Sequence, residues 1–264
     1  MRLSILMPVY NERATIAAAV ERVRALPLDM QIICVDDCST DGSLEILKDL
    51  LARRRIDSLV VQERNYGKGR AVRAALEKAT GDIAVIQDAD LEYDPQDILR
   101  LIAPIQDGRA DAVLGSRFKG DVSRVLYYWH SVGNHALTTL SNMATNLNLT
   151  DMEGGYKAVR TDLMKSLPLV SERFGIEPEL TARLAQARAR IYEVPISYSG
   201  RTYAEGKKIG WRDGAAAIWH ILRFNFFSPK APHYTLNSAA SRPAVRPPAE
   251  PLSSSETGAG AHPH

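Results

Sequence analysis

Short apolar segments alternate with amphipathic segments through the first half of the chain, and this order constrains the fold more than any other feature. Five segments have the length and composition of buried strands: 3–9, 31–35, 58–62, 83–86 and 112–114. Four segments between them repeat apolar residues at helical spacing: 12–26, 41–51, 68–78 and 94–106. Strands that are apolar throughout predict an α/β fold, with a largely parallel sheet covered by helices on both faces. Ligands of such sheets bind at the carboxyl ends of the strands.

The second half of the chain is less regular and ends in a change of composition. Apolar spacing predicts helices that alternate with two strands: the helices are 127–146, 177–189 and 211–227, and the strands are 155–159 and 191–196. From residue 228 the chain is rich in Pro, Ser, Ala and Gly, and a segment with so few large apolar residues does not bury enough surface to fold. The sequence therefore predicts one folded domain over residues 1–227 and a disordered tail over 228–264.

Composition argues against several classes of protein. The 33 basic and 31 acidic residues give a net charge of +2, so we expect no nucleic-acid partner. Two cysteines, Cys34 and Cys38, are too few for a disulfide scaffold or a zinc site and indicate a reducing compartment. No segment reaches the roughly 20 apolar residues of a membrane span, and the first apolar run is broken at Pro8, too early for a secretory signal. We therefore expect a cytoplasmic protein, soluble or peripheral on the inner face of the membrane.

Two acidic residues directly follow the predicted strand 83–86, in the sequence Gln87-Asp88-Ala89-Asp90. Side chains two residues apart in a strand share a face, so we expect Asp88 and Asp90 to point the same way. Two carboxylates this close repel each other unless a cation joins them. Mg²⁺ and Mn²⁺ prefer such oxygen ligands and commonly share them with substrate phosphates. The pattern predicts a site for Mg²⁺ or Mn²⁺, and an ordinary loop entry is the alternative.

The first two predicted strands also end in polar residues. In the turn after the first strand, Tyr10 can stack on a nucleobase, and Glu12 can order the loop or begin the next helix. Asp36 and Asp37 end the second strand, where a carboxylate can accept hydrogen bonds from a base or a ribose hydroxyl. For the first of these turns, the alternative is an ordinary loop with a glutamate at the start of a helix.

The turn after the third predicted strand reads Asn65-Tyr66-Gly67-Lys68-Gly69-Arg70. Two glycines around Lys68 permit close backbone approach to an anion at the start of a helix. The spacing of a P-loop is absent here, and the G-x-G-x-x-G pattern of nicotinamide enzymes is absent after the first strand. The turn therefore predicts a possible anion site through close backbone approach and does not match either nucleotide-binding motif.

These four strand ends together resemble the inverting family-2 glycosyltransferases, which have the GT-A fold. Six further stretches resemble the branch of that family that uses polyprenyl and dolichyl phosphates: Gly115-Ser116-Arg117-Phe118, Trp129-His130-Ser131-Val132-Gly133-Asn134, Tyr156-Lys157-Ala158-Val159-Arg160, Gly175-Ile176-Glu177-Pro178-Glu179, Glu193-Val194-Pro195-Ile196 and Gly200-Arg201-Thr202-Tyr203. The resemblance covers about residues 3–227 and implies a donor half over 1–118 and an acceptor half over 119–227. The chain departs from the family at Gly154 and Gly155, where a small polar residue or cysteine is more common, and this departure predicts a looser loop.

The resemblance implies both an activity and its residues. The activity is transfer of a hexose from a nucleotide-diphosphate sugar, of the GDP-mannose or UDP-glucose type, to a polyprenyl phosphate. The residues implied for donor binding are Pro8, Tyr10, Glu12, Asp37, Lys68, Asp88, Ala89 and Asp90. Among them, Asp88 and Asp90 would bind ribose and the metal, which neutralises the leaving diphosphate. The expected catalytic residues are Asp90, Arg117 and Arg201.

The chemistry of the acceptor separates two hypotheses. A phosphate monoester is already ionised near neutral pH, so it needs cations and no strong base. Four residues can supply positive charge or hydrogen-bond donors to it: Arg117, Arg124, His130 and Asn134. A sugar hydroxyl needs a general base, and Asp151 or Glu153 can supply one. We favour the phosphate and keep a sugar-hydroxyl acceptor, in polysaccharide or glycolipid synthesis, as the alternative.

The predicted last helix, 211–227, combines apolar side chains with nearby basic residues. Such a helix can rest on an anionic membrane surface or pack in the core. Lys207 and Lys208 precede it and either clamp the diphosphate or remain solvated. A nucleotidyltransferase would carry a glycine-rich phosphate loop after the first strand, and this chain does not. A non-catalytic sensor of nucleotide sugars is a further alternative.

Overall fold

The computed structural model describes residues 1–119, 127–200 and 211–235. Within these ranges seven strands form one sheet: β1 (Leu3–Val9), β2 (Met30–Asp36), β3 (Ser58–Val61), β4 (Ile83–Ile86), β5 (Ala112–Ser116), β6 (Lys157–Arg160) and β7 (Ile191–Pro195). The helices are α1 (Ile16–Arg24), α2 (Ser43–Ala52), α3 (Lys68–Lys78), α4 (Asp97–Gln106), α5 (Tyr128–Thr145), α6 (Thr161–Ser166), α7 (Ile176–Gln186) and α8 (Trp211–Leu222), the last continued by a π-helical segment (Arg223–Phe227). The alternation predicted for the first half of the chain is confirmed.

The strands lie in the order β3-β2-β1-β4-β6-β5-β7. β1 to β4 are mutually parallel where they pair, and β5 is parallel to β7. β6 is antiparallel to both β4 and β5, which the sequence pattern did not predict. The amino end of β6 therefore lies at the edge where β4 and β5 have their carboxyl ends. Consequently the loop before β6 reaches the edge at which ligands of such sheets bind.

Both faces of the sheet are buried, because successive strand residues point to opposite sides. On β1, Leu3, Ile5 and Met7 belong to a core cluster shared with α1, α2 and α4. Leu6 belongs to a second cluster, shared with α3, α6 and α7. The continuous apolar character of the strands thus reflects burial on both faces, and the predicted α/β class is confirmed.

Helix boundaries differ from the apolar periodicity at several places. The periodicity starts the first helix at residue 12, but residues 12–15 form a turn in which Ile16 N–H donates to the Glu12 carbonyl. The predicted helix from residue 94 begins at Asp97. Helix α6 was not predicted, because six residues are too few to display a helical period.

Residues 228–235 correct the start of the predicted disordered tail. The Ala231 N–H donates to Oε1 of Gln186 at 3.0 Å, and the Tyr234 hydroxyl donates to Asp162 at 2.8 Å. Both side chains also pack on the second core cluster. These few apolar side chains suffice to dock the segment on α6 and α7.

In the part of the chain that the structure describes, no helix combines the length and the apolar content that crossing a bilayer requires. The rest of the predicted tail, residues 236–264, lies outside that part. The segments 120–126 and 201–210 lie outside it as well.

Candidate active site

The loops that carry most of the predicted site residues meet at one edge of the sheet. This edge is formed by the carboxyl ends of β1 to β5 and β7 and by the amino end of β6. Pro8 is the second-last residue of β1. The other donor-site candidates follow β1, β2, β3 or β4. The hydrogen bonds between these loops define the geometry of the site.

The turn after β1 is fastened to the turn after β2. Asn11 has a φ of 54°, and its Oδ1 accepts the Thr40 N–H at 2.8 Å. Oε2 of Glu12 accepts the Thr15 hydroxyl proton at 2.7 Å, so Glu12 orders the approach to α1. Tyr10 is 39% exposed at this edge, as a residue that stacks on a nucleobase must be. The structure thus combines the ordinary structural role of Glu12 with an accessible aromatic ring.

The two acidic residues at the end of β2 have different environments. The carboxylate of Asp37 accepts the N–H of Tyr66 at 2.8 Å and that of Gly67 at 2.7 Å. Burial raises the pKa of Asp37 above its ordinary value. Oδ2 of Asp36 accepts the Ser39 N–H at 3.1 Å, whereas its buried Oδ1 has no hydrogen-bond partner among the described residues. Asp37 therefore holds the glycine-rich turn, whereas Asp36 keeps a buried acceptor oxygen without a partner among the described residues.

The glycine-rich turn does not offer the start of α3 to an anion. The N–H groups of Gly69 and Arg70 donate to the carbonyl oxygens of Arg173 and Glu172, at 3.1 and 2.9 Å. Gly67 has a φ of 94°, and a Cβ there would lie 2.8 Å from the Arg173 backbone. The hypothesis that these N–H groups bind an anion is therefore wrong, because the loop before α7 already uses them.

Lys68 bridges two carboxylates inside the site. Its Nζ lies 2.8 and 3.0 Å from the two oxygens of Asp88 and 2.9 Å from Oε1 of Glu177. Burial lowers the pKa of Lys68, but the two carboxylates more than offset this effect and raise the pKa well above its ordinary value. Lys68 is thus a buried cation. Glu177 had not been predicted as a site residue, although it lies within one of the family-like stretches.

Asp88 and Asp90 follow β4 but do not continue it, since the strand ends at Ile86 and Asp90 lies in a bend. Leu91 has a φ of 62°, and Oδ1 of Asp90 accepts the Glu92 N–H at 3.1 Å. Strand geometry therefore does not place these two side chains on a shared face, although both residues lie at the expected edge of the sheet. Oε2 of Glu177 is buried and has no partner among the described residues.

The carboxylate oxygens of Asp88 and Asp90 are of the kind that a hard divalent cation such as Mg²⁺ or Mn²⁺ prefers. In the described ranges no three His, Cys, Asp or Glu side chains are grouped so as to hold an ion by themselves. Asp88 and Asp90 are the residues that would hold such an ion, and Mg²⁺ sites of this kind commonly take further oxygen ligands from substrate phosphates.

Gly154 and Gly155 bring the loop before β6 against Asp88. A Cβ at Gly155 would lie 2.5 Å from Oδ2 of Asp88, and a Cβ at Gly154 would collide with the Gly115 carbonyl oxygen. The Gly155 N–H donates to the Tyr93 hydroxyl at 3.0 Å. The prediction of a looser loop is wrong, because the two glycines permit the loop to pack closely on the acidic end of β4.

Arg117 and Asp151 form a forked ion pair at the end of β5. Arg117 Nε lies 2.7 Å from Oδ2 of Asp151, Nη2 lies 2.8 Å from Oδ1, and the Arg117 backbone N–H donates to Oδ2 at 3.0 Å. Asn134 on α5 accepts from Arg117 at 3.1 Å and donates to Asp151 at 3.2 Å. The structure thus brings together two of the residues predicted to bind the acceptor.

The two candidate bases differ in charge state. Burial raises the pKa of Asp151, but the Arg117 guanidinium more than offsets this effect, so the pKa lies below its ordinary value. Burial and the nearby Glu177 carboxylate raise the pKa of Glu153 to about 7. Oε1 of Glu153 is buried and has no partner within the described ranges. Glu153, not Asp151, therefore has the basicity and the unpaired oxygen that a general base requires.

Glu193 on β7 supports the same loop and was not predicted to do so. Its carboxylate accepts the Thr150 N–H at 2.9 Å and the Asp151 N–H at 3.1 Å, and Lys119 lies 2.9 Å from it. The sequence does contain a signal for this role, since Glu193 is an acidic residue in a strand that is otherwise mostly apolar.

The remaining predicted residues lie farther from this centre or outside the described residues. His130 lies one helical turn before Asn134 on α5, and its ring packs 5.4 Å from the ring of Tyr127. The predicted candidates outside the described residues are Arg124, Arg201, Lys207 and Lys208.

Solved glycosyltransferase structures share this fold. The glucosyl-3-phosphoglycerate synthase of Mycobacterium tuberculosis, in complex with Mn²⁺, uridine diphosphate and glucosyl-3-phosphoglycerate, superposes with a TM-score of 0.64. The alignment has 21% sequence identity and covers 84% of this chain and 77% of the synthase. The same synthase in complex with uridine diphosphate gives a TM-score of 0.65 at 22% identity. This similarity confirms the predicted GT-A-like fold.

Curated relatives are also similar in sequence. The low-salt glycan biosynthesis hexosyltransferase Agl6 of Haloferax volcanii is 31% identical over 236 residues, which are 86% of this chain and 55% of the relative. The undecaprenyl-phosphate 4-deoxy-4-formamido-L-arabinose transferase of Aeromonas hydrophila is 29% identical, over 78% of this chain and 62% of the relative. The undecaprenyl-phosphate mannosyltransferase of Micrococcus luteus is 29% identical over 247 residues, which are 84% of this chain and 98% of the relative. The chain thus spans little more than half of the first relative and nearly all of the third.

The family described as Glycosyl transferase family 2 matches residues 4–167, which are more than half of the chain. These residues contain all of β1 except Leu3, the whole of β2 to β6, and most of the loops at the site edge. The fold, the acidic strand ends and this match agree with one another, and the protein is a glycosyltransferase that belongs to family 2.

Proposed function

We propose that the protein transfers a hexose from a nucleotide-diphosphate sugar, of the GDP-mannose or UDP-glucose type, to a polyprenyl phosphate. The reaction inverts the anomeric carbon and depends on Mg²⁺ or Mn²⁺. One observation carries the proposal: a single loop contacts Asp88 through Gly155 and binds Arg117 through Asp151. An acidic site for a metal and a donor therefore shares a wall with a cationic site for an acceptor phosphate. The two relatives named for undecaprenyl phosphate support this class of acceptor.

The donor half of the site is proposed to lie within residues 1–118. Tyr10 stacks on the nucleobase, and Pro8 and Glu12 shape the turn that carries it. Asp37 fixes the glycine-rich turn, while Oδ1 of Asp36 accepts a hydrogen bond from the base or the ribose. The exposure of Tyr10 and the unpartnered oxygen of Asp36 among the described residues support these roles.

Asp88 and Asp90 are proposed to hold the divalent ion, which stabilises the negative charge of the departing diphosphate. Ala89 between them is buried in the core, and this burial fixes the backbone from which both carboxylates project. Lys68 keeps Asp88 in position through its two short contacts. Arg201, which lies outside the described residues, is proposed as a further cation for the diphosphate.

The acceptor half is proposed to lie within residues 119–227, with Arg117 at its boundary. A phosphate oxygen forms the new bond to the anomeric carbon as the bond from that carbon to the diphosphate oxygen breaks on the opposite face. No proton has to be removed, because the acceptor is already ionised. Asp151 binds Nε and Nη2 of Arg117, and the guanidinium carbon lies 5.2 Å from the centre of the Tyr198 ring. Arg117, Asn134, His130 and Arg124 are proposed to bind the acceptor phosphate.

We further propose that one side of α8 contacts the cytoplasmic membrane surface that holds the lipid acceptor. Phe224 is buried, whereas Trp219 and Phe227 are 55% and 72% exposed, with ring centroids 6.4 Å apart. Exposed aromatic side chains near a basic residue such as Arg223 are typical of helices at a membrane interface. Packing in the core accounts for the buried side of this helix and leaves the exposed side without a role.

The transfer assay that tests the proposal uses radiolabelled GDP-mannose and UDP-glucose with undecaprenyl phosphate. We expect label to enter the lipid fraction with Mn²⁺ or Mg²⁺ and to stay in the aqueous fraction with EDTA. Undecaprenol, which lacks the phosphate, is the matched control and should receive no label. Acceptor in anionic vesicles should be used faster than acceptor in detergent. Full activity with EDTA, or equal labelling of undecaprenol, would refute the proposal.

A second candidate function, transfer to a sugar hydroxyl, is favoured by the environment of Glu153. This side chain combines a pKa of about 7 with a buried oxygen that has no partner among the described residues. At that pKa the carboxylate form, which can take a proton, becomes dominant as the pH rises above neutrality. Glu153 would then remove the hydroxyl proton while the hydroxyl oxygen bonds to the anomeric carbon and the bond from that carbon to the diphosphate oxygen breaks, so that the nucleotide diphosphate leaves.

Replacing Glu153 by glutamine distinguishes the two acceptors. With a polyprenyl phosphate, we expect E153Q to change kcat by less than about fivefold, because no base is needed. With a sugar hydroxyl, kcat should fall by about a hundredfold or more, and the rise of the rate with pH through about 7 should disappear. E172Q, which makes the same change at an exposed position, is the matched control. A hundredfold loss with the phosphate acceptor would contradict the main proposal.

A further inference from the structure

Lys68 already occupies a position on Asp88 that a cation would take. Its ammonium contacts both oxygens of the Asp88 carboxylate, at 2.8 and 3.0 Å, and Oε1 of Glu177 at 2.9 Å. The side chains of Lys68 and Asp88 are only 14% and 19% exposed. These contacts are therefore little screened by water, and the lysine is fixed at the very start of α3.

The three side chains carry one positive and two negative charges. If Asp88 turns to a divalent ion, Lys68 loses one carboxylate but keeps the other, so no buried ammonium is left unpaired. Glu177 comes from α7, far from Asp88 in sequence, and its second oxygen has no partner in the described part of the chain. Without Glu177 the ammonium would be bound to Asp88 alone and would compete with the ion for that carboxylate.

We infer that Lys68 is the internal counter-ion of the metal site and that Glu177 holds it when a divalent ion binds Asp88. Both are positioning residues. Lys68 keeps the Asp88 carboxylate in place before the ion arrives. Glu177 then keeps the Lys68 ammonium paired, so that Asp88 can leave Lys68 and bind the ion. This inference rests on the proposed function. It further implies that the two residues affect metal affinity in opposite directions.

The test is Mn²⁺ binding to the full chain, measured from the electron paramagnetic resonance signal of free Mn²⁺ with saturating GDP or UDP. E177Q should bind Mn²⁺ about tenfold more weakly, because the whole ammonium charge then faces Asp88. K68M should bind it about tenfold more tightly, because the repelling charge is removed. K78M and E77Q make the same changes at exposed positions on α3 and should match the wild type.

The opposite signs separate this inference from a merely structural role. Weaker binding in both variants, or unchanged binding in both, would overturn it while leaving metal-dependent transfer intact. If K68M does not fold, K68Q takes its place, because it removes the same charge but keeps a hydrogen-bond donor for Asp88 and Glu177. Absence of Mn²⁺ binding by the wild type with either nucleotide would overturn the proposed function and this inference together.

Discussion

Replacement of Asp88 by asparagine is expected to lower kcat for sugar transfer by at least about a thousandfold. The side chain keeps its size but loses the negative charge proposed to hold the ion beside the leaving diphosphate. Lys68 would then face a neutral amide and keep Glu177 as its carboxylate partner among the described residues. Initial rates at saturating donor and acceptor, measured over a range of Mn²⁺ concentrations, separate weaker metal binding from slower transfer.

The matched control for D88N is D49N, because Asp49 is an exposed residue of α2 that pairs with the exposed Arg53. This control should keep the wild-type rate to within about twofold, as surface changes of this kind usually do. Thermal unfolding of both variants shows whether either change alters the fold. A D88N protein that keeps more than about a tenth of the wild-type rate at low Mn²⁺ would contradict the proposed metal site.

The parallel part of the fold could be predicted because its signals are local. Continuous apolar runs such as Leu3–Val9 and helical spacing such as Lys68–Lys78 report burial directly. β6 could not be placed in the same way. Its four residues carry no signal of direction, and its antiparallel position between β4 and β5 depends on the path taken through α5.

The candidate site shows the same division between local and long-range information. Asp88 and Asp90 could be located from a strand that ends in acidic residues. The ion pair between Lys68 and Glu177 could not be predicted from the sequence, because it joins the starts of two helices that lie more than a hundred residues apart. The close packing of the loop at Gly154 and Gly155 could not be predicted for a related reason. The atoms that exclude a Cβ at Gly155 belong to Asp88 and Tyr93, which only the tertiary fold brings there.

Replacement of Arg117 by methionine is expected to destabilise the fold by about 3–5 kcal/mol, because it leaves Asp151 as an uncompensated buried charge. Asp151 has no exposed surface, and the guanidinium donates two of its hydrogen bonds, at 2.7 and 2.8 Å. Methionine keeps the apolar stem of the arginine and removes the charge. Urea unfolding at pH 7 measures the loss directly, from the midpoint and the slope of the transition.

The pH dependence of that loss identifies its electrostatic origin. Since Arg117 holds the pKa of Asp151 below its ordinary value, the pair stabilises the wild type above the ordinary pKa of an aspartate. This stabilisation is lost as the pH falls through the lowered pKa, so the difference between wild type and R117M should shrink in acid. R117M/D151N has no carboxylate to leave unpaired and should recover much of the loss at pH 7. If R117M unfolded at the same urea concentration as the wild type, the ion pair would not fix the loop. The Arg117–Asp151 pair would then not be what joins the proposed acceptor side to the loop before β6, which packs on Asp88.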